Sequence, residues 1–208
     1  MNVIAINGSP RKDGNTFTVL KAMTEELEKE QIRTEIIQVG DKLLHGCIAC
    51  GYCRKSEGNF CVFKDDMVNE VAEKMRKADG FILGSPTYYG GIAGTMKSFL
   101  DRLFFTSGRY FRYKAAAVVA VTRRAGAVDT TNQLMNYLRL SQTITPPSQY
   151  WTIVYGADKG EVLQDEEGMQ TARRNAQAMV CLLQSLKESE AHVPALENGP
   201  KAMTNFIR

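Results

Sequence analysis

Short apolar runs alternate with longer amphipathic stretches along this chain. Val3-Ile4-Ala5-Ile6 is a compact apolar run closed by Asn7-Gly8-Ser9-Pro10, which predicts a buried strand and a turn. From Thr16 to about Gln31 the pattern becomes helical, with Phe17, Leu20, Met23, Leu27 and Ile32 near helical spacing and charges between them. RTEIIQVG, residues 33–40, predicts a second strand. Asp65 or Asp66 suits the cap of a helix running through Val68, Val71, Ala72 and Met75. GFILGSP, residues 80–86, predicts a third strand, followed by a helix from about Ala93 to Phe105. The apolar AAAVVAV, residues 115–121, is the fourth strand. A helix over Thr131 to Leu140, a fifth strand around QYWTIVY (149–155) and a long helix over about 165–189 complete the series.

Short apolar strands alternating with helices argue for a parallel sheet covered on both faces. Five such strands fit an α/β, three-layer αβα fold of flavodoxin-like, doubly wound order 2-1-3-4-5. Right-handed crossovers bring the strand-to-helix loops to one carboxyl edge. Those loops are 7–15, 40–64, 84–92 and 122–129. The expected organisation is one domain over residues 1–193 with a cysteine-rich excursion at 40–64. A tail over 194–208 is a candidate oligomer contact.

Composition narrows the function classes. The 208 residues hold 26 Lys and Arg against 23 Asp and Glu, and the resulting +3 is too mild to point to nucleic acid. No run approaches the ~18 apolar residues of a membrane span. MNVIAINGSPRK lacks the apolar stretch of a secretion signal, so the expected location is cytoplasmic, where thiols stay reduced.

Two of the loops carry ligand chemistry. NGSPRKDGNTF joins a strand to a helix, and a helix N-terminus offers free N–H groups and a positive dipole end to a phosphate. Ser9, Asn15 and Thr16 add side-chain donors there and Arg11 a guanidinium. The loop is neither a Walker A sequence nor G-x-G-x-x-G. In the third-strand loop, Pro86, Thr87, Tyr88, Tyr89 and Gly90 suit a platform for a flat ring. Lys97 and Asp101, spaced i, i+4, read as a local ion pair.

The third chemical feature is GCIACGYCRKSEGNFC, residues 46–61, with spacing C-x2-C-x2-C-x7-C. Cys47, Cys50, Cys53 and Cys61 resemble ferredoxin-type cubane ligation more than paired zinc knuckles, while zinc and free thiols stay open as alternatives. His45 reads as a loop residue, and no function is assigned to His192. Cys181 reads as a buried small hydrophobe and Trp151 as core.

INGSPRKDGNT, the DDM…ADGFILGSPTYYGG stretch and MKSFLDR together resemble the flavodoxin-like NAD(P)H-dependent FMN reductase superfamily, and within it the iron–sulfur flavoprotein branch. The blocks span residues 2 to about 126. The resemblance implies FMN, its phosphate on Ser9, Arg11, Asn15 and Thr16, and its ring against Pro86, Thr87, Tyr88, Tyr89 and Gly90. Thr122 and Gly126 are carried over from the loop after the fourth strand. Arg123 and Arg124 depart from the more Gly-rich family pattern there and read as a solvated pair. The same resemblance points to a [4Fe–4S] cluster on Cys47, Cys50, Cys53 and Cys61.

The implied function is electron transfer between the cluster and FMN, then to a small acceptor such as a quinone, O2 or peroxide, or to a ferredoxin-like partner, with no side-chain acid or base as catalyst. The alternatives are an NAD(P)H-dependent FMN or quinone reductase without a cluster, and a non-catalytic redox sensor. NAD(P)H is a possible co-substrate. Self-assembly as a homodimer or homotetramer is expected, with neither nucleic acid nor membrane as partner.

Overall fold

The computed structural model describes residues 1–189 and Thr204, so the tail expected at 194–208 as an oligomer contact, and His192, fall outside the described residues apart from Thr204. Five parallel strands form the sheet: β1 (Asn2–Asn7), β2 (Arg33–Gln38), β3 (Gly80–Tyr88), β5 (Ala115–Thr122) and β6 (Ile153–Tyr155). Their spatial order is β2-β1-β3-β5-β6, the doubly wound arrangement expected. A two-residue β4 (Gly91–Ile92) folds back antiparallel on β3, pairing Thr87 with Ile92 and Tyr88 with Gly91. The two turn residues, Tyr89 and Gly90, have φ of 51° and 72°, the backbone twist that a two-residue hairpin favours.

Alternation along the strands feeds two cores. Val3 and Ala5 of β1 pack with α1 (Asn15–Lys29) and α6 (Glu166–Glu188). Ile4 and Ile6 face the opposite side, against α3 (Val68–Lys77), α4 (Gly94–Ser107) and α5 (Ala127–Leu140). The short α2 (Tyr52–Lys55) lies in the cysteine loop. Among the described residues no helix is long and apolar enough to cross a membrane. Lys97 and Asp101 do pair at 2.6 Å, and Tyr137 also donates to Asp101.

Several expectations are corrected. The fifth strand shrinks to Ile153–Tyr155: the Thr152 carbonyl still accepts from Ala120 N–H at 3.0 Å, but Ile153 N–H turns back to the Trp151 carbonyl at 2.8 Å, so the regular ladder starts only there. Trp151 therefore lies outside the strand; it is half exposed and packs edge-on against Tyr150 at 4.7 Å. Cys181 is exposed, not buried. The stretch AMVCLL is longer than one helix stripe is wide, so Met179, Val180 and Leu183 turn inward while Cys181 faces out. Helix α5 begins at Ala127 instead of Thr131, launched by Gly126 in the left-handed region at φ 86°. Its first turn, Ala127-Val128-Asp129-Thr130, falls largely in the stretch read from the sequence as the loop 122–129.

Candidate functional site

The first loop is built by a buried amide. Asn7 Oδ1 accepts from the Ser9 N–H at 3.1 Å, and its Nδ2 donates to Gln38 Oε1 at 2.6 Å. Gln38 Nε2 in turn donates to the Ser9 carbonyl at 2.7 Å, and the Ser9 hydroxyl accepts from the Arg11 N–H at 3.1 Å. Gly40 makes this closeness possible, since a Cβ there would lie 2.2 Å from the Ser9 carbonyl. No side chain caps α1 at Gly14, and the first bond into the helix is from Thr18 N–H to the Gly14 carbonyl at 3.0 Å. The N–H groups of the first turn are thus presented to the cavity in front of them.

That cavity encloses about 360 Å³, within the range of small-molecule sites. Ser9, Arg11, Asn15 and Thr16 line it from the first loop, Pro86, Thr87 and Tyr88 from the end of β3, and Thr122 with Arg123 from the end of β5. Tyr89, Gly90 and Gly126 are not among its lining residues. Tyr89 projects fully into solvent at the hairpin tip. Gly126 sits behind the turn, where a Cβ would come within 3.0 Å of Gly90 Cα. Thr87 is held by a bond from the Thr130 hydroxyl at 3.0 Å.

Sequence reasoning missed the segment that closes this cavity. Gly156, Ala157 and Asp158, after β6, complete its wall. Asn15 does not aim its amide at the cavity alone: Nδ2 donates to the Asp158 carbonyl at 2.9 Å and Oδ1 accepts from Gly160 N–H at 2.8 Å. Arg11 reaches the Ala157 carbonyl at 3.4 Å, and Lys159 pairs with Asp13. The Glu161 carboxylate accepts the N–H groups of Asp158 and Ala157 at 2.8 and 2.6 Å, which hold its carboxyl below the usual range. The only sequence signal was the Gly156 and Gly160 punctuation after the last strand.

The cysteine loop leaves the sheet edge and lies along α4. Cys47, Cys50, Cys53 and Cys61 line one pocket with Ile48, Val62, Phe63, Arg102 and Phe105, and none of these residues lines the first cavity. Cys53 and Cys61 are buried and Cys47 and Cys50 exposed. Burial pushes the Cys53 thiol up, and the neighbouring sulfurs push it further. Among the described residues, no three of the His, Cys, Asp or Glu side chains close on a single-ion position. The donor set is nevertheless all thiol, with apolar walls, which fits a soft metal or an iron–sulfur cluster.

Three side chains outside the motif fix this loop. Asn69 Oδ1 accepts from Cys61 N–H at 2.8 Å, and Nδ2 donates to the carbonyls of Cys61 and Phe63 at 3.1 and 3.0 Å. Arg76 donates to the carbonyls of Gly58 and Asn59 at 2.7 and 2.9 Å and stacks over Tyr110 and Phe60. Arg102, 1% exposed, pairs with Asp66, which the sequence suggested only as a helix cap. Asp66 does also accept from Val68 N–H at 3.1 Å. His45 stacks on Phe63 at 5.0 Å.

Comparison with known proteins agrees with this geometry. The family model described as NADPH-dependent FMN reductase matches residues 1–158. An iron–sulfur flavoprotein of Methanocaldococcus jannaschii is 35% identical over 90% of this chain and 100% of its own length. One from Methanosarcina thermophila is 29% identical over 91% of this chain and 98% of its own. Among solved structures, the flavoenzyme NAD(P)H:(acceptor) oxidoreductase FerB of Paracoccus denitrificans superposes with a TM-score of 0.64 at 17% identity, over 88% of this chain and 97% of that one, and supports the fold. With three quarters of its length inside the family model and a relative this similar end to end, the chain belongs to the NADPH-dependent FMN reductase family, on its iron–sulfur flavoprotein branch.

Proposed function

We propose that this protein is a flavin-dependent oxidoreductase that holds FMN in the 360 Å³ cavity and a [4Fe–4S] cluster on Cys47, Cys50, Cys53 and Cys61. The observation that carries the proposal is the pairing, in one chain, of an uncapped helix terminus opening on a cavity with a pocket lined by four thiols. When bound, the flavin supplies hydride and single-electron chemistry and the cluster single-electron transfer.

The chain's own residues supply placement. The α1 N-terminus, Ser9, Thr16 and Arg11 bind the phosphate, and Asn15 holds the 156–161 segment over it. Pro86, Thr87 and Tyr88 seat the ring, and Thr122 and Arg123 close the far wall. Tyr89, Gly90 and Gly126 act by shaping the hairpin. The soft thiolates hold iron, and the apolar walls of Ile48, Val62 and Phe105 limit water around it.

NAD(P)H is the proposed co-substrate, with a small acceptor or a ferredoxin-like protein as the other electron partner. Residues 1–193 act as one unit. The unpaired cysteines suit a cytoplasmic location, and exposed Leu43, Ile48, Tyr89, Leu140 and Trp151 suit self-association as a homo-oligomer.

Purification without oxygen, followed by quantitation of FMN, iron, acid-labile sulfide and zinc, tests this reading. FMN with about four irons and four sulfides per chain is the expected result. FMN with zinc or no metal supports a second reading, an NAD(P)H-dependent FMN or quinone reductase without a cluster. That reading is favoured by one observation, that the two cavities share no lining residue, so the flavin site is complete without the cysteines. Failure to retain FMN sinks both.

A further inference from the structure

Arg102 is the largest fully buried side chain among the described residues, and burying a guanidinium is costly unless it is paired and hydrogen-bonded. Its Nη1 and Nη2 donate to the two carboxylate oxygens of Asp66, itself 9% exposed, and Nη1 also donates to the His45 carbonyl at 3.3 Å. The ring of Phe63 covers it at 4.9 Å. The remaining nitrogen, Nε, lies 3.2 Å from Sγ of Cys61. Replacing a buried ion pair by apolar residues is commonly neutral or stabilising, so fold stability alone does not account for this arginine. The four sulfurs are served unequally. Cys47 and Cys50 face solvent, and among the described residues Cys61 is the one cysteine whose sulfur accepts from a side-chain donor.

Building on the cluster reading above, we propose that Arg102 tunes the cysteine cage: its Nε–H bond to Cys61 Sγ raises the reduction potential of the bound cluster. A neutral thiol is a poor acceptor for such a bond and a thiolate a strong one, so the contact matches Cys61 as a ligand. Adding an electron to a cluster increases the negative charge on its ligand sulfurs, and a cationic donor favours that reduced form. Asp66 offsets the arginine's charge in the oxidised protein while leaving Nε directed at the sulfur. Asn69 clamps the Cys61 N–H and carbonyl independently of Arg102, so the sulfur keeps a backbone anchor when the arginine is lost. Loss of the arginine then changes the energetics of the site more than its geometry.

The test compares wild type with Arg102→Met/Asp66→Asn and with Arg102→Lys, each reconstituted anaerobically. Iron and sulfide content and the cluster midpoint potential are read in the three proteins. The double variant removes both charges together, so neither is left orphaned. It is expected to hold wild-type iron and sulfide, with the oxidised-to-reduced ratio at fixed potential raised about tenfold, or about 59 mV for a one-electron couple. Arg102→Lys keeps the charge but cannot span Asp66 and Cys61 with a planar fork, and shifts the ratio the same way by less. Should the double variant fail to fold, Arg102→Lys decides alone. An iron-replete variant with the wild-type midpoint, or a folded double variant that cannot hold a cluster, overturns the proposal. Wild-type protein without iron and sulfide sinks the cluster reading itself, a result distinct from both.

Discussion

Asn69→Ala is the sharpest probe of how the cysteine loop is held. Asn69 belongs to α3, yet its side chain makes three bonds to the backbone at Cys61 and Phe63, at 2.8, 3.1 and 3.0 Å. A buried or half-buried bond contributes about 1 kcal/mol net, so the three together contribute about 3 kcal/mol. That is a large share of the roughly 5–15 kcal/mol that stabilises an ordinary domain. In urea melts of the metal-free protein, with a slope of about 2–3 kcal/mol per molar, the midpoint is expected to fall by about 1 M. In the reconstituted protein, iron should be lost to a chelator faster than from wild type, because the fourth thiol is then carried by a freed segment. Asn69→Asp keeps the acceptor for Cys61 N–H but sets a carboxylate against two carbonyls, and should be no more stable than alanine. A stability within about 0.5 kcal/mol of wild type, the scatter of neutral surface changes, refutes the clamp.

Two further outcomes follow from the flavin cavity. Gly40→Ala places a Cβ 2.2 Å from the Ser9 carbonyl, and the displaced first loop should weaken FMN binding at least tenfold, about 1.4 kcal/mol, in a fluorescence titration, with iron content unchanged. Glu161 has its carboxyl held below the usual range by the N–H groups of Asp158 and Ala157, so its contribution is complete above the ordinary carboxylate value and is lost as pH falls through the lowered one. FMN retention should therefore drop on acidification at the low end of the carboxylate range, and Glu161→Gln should blunt that drop; an unchanged acid limb contradicts the assignment.

How much of this was legible beforehand follows local against non-local information. The order of strands was readable because β1, β3 and β5 are short apolar runs bounded by turns, each a signal contained in a few residues. That Ser9, Arg11 and Thr16 converge on one cavity was readable for the same reason, since a strand, a turn and a helix start are contiguous. Cys181 and Trp151 were misplaced because apolar character does not say which side of a helix faces out, or at which residue a strand's ladder begins. Arg102 and Asn69 carry no local mark at all, and Gly156–Asp158 only the glycine punctuation after the last strand. Asn69 gains its role from a loop that precedes its own helix, and the others from partners far away in sequence: Arg102 from Cys61 41 positions off, Asp158 from Asn15 143 positions off.

That last separation bears on how the protein matures on the ribosome. Every side chain that lines the cysteine pocket lies between residues 47 and 106, whereas the flavin cavity needs the segment at 156–158 to close its wall and Gly160 and Glu161 to hold that segment. During synthesis the thiol pocket has all its parts while about half the chain is still to be made. The flavin cavity is finished only when the strand and wrap after residue 152 have emerged. The parts of the thiol pocket are thus all present in the chain before those of the flavin cavity, and α6, which packs on the α1 side of the sheet, is the last described element to be made.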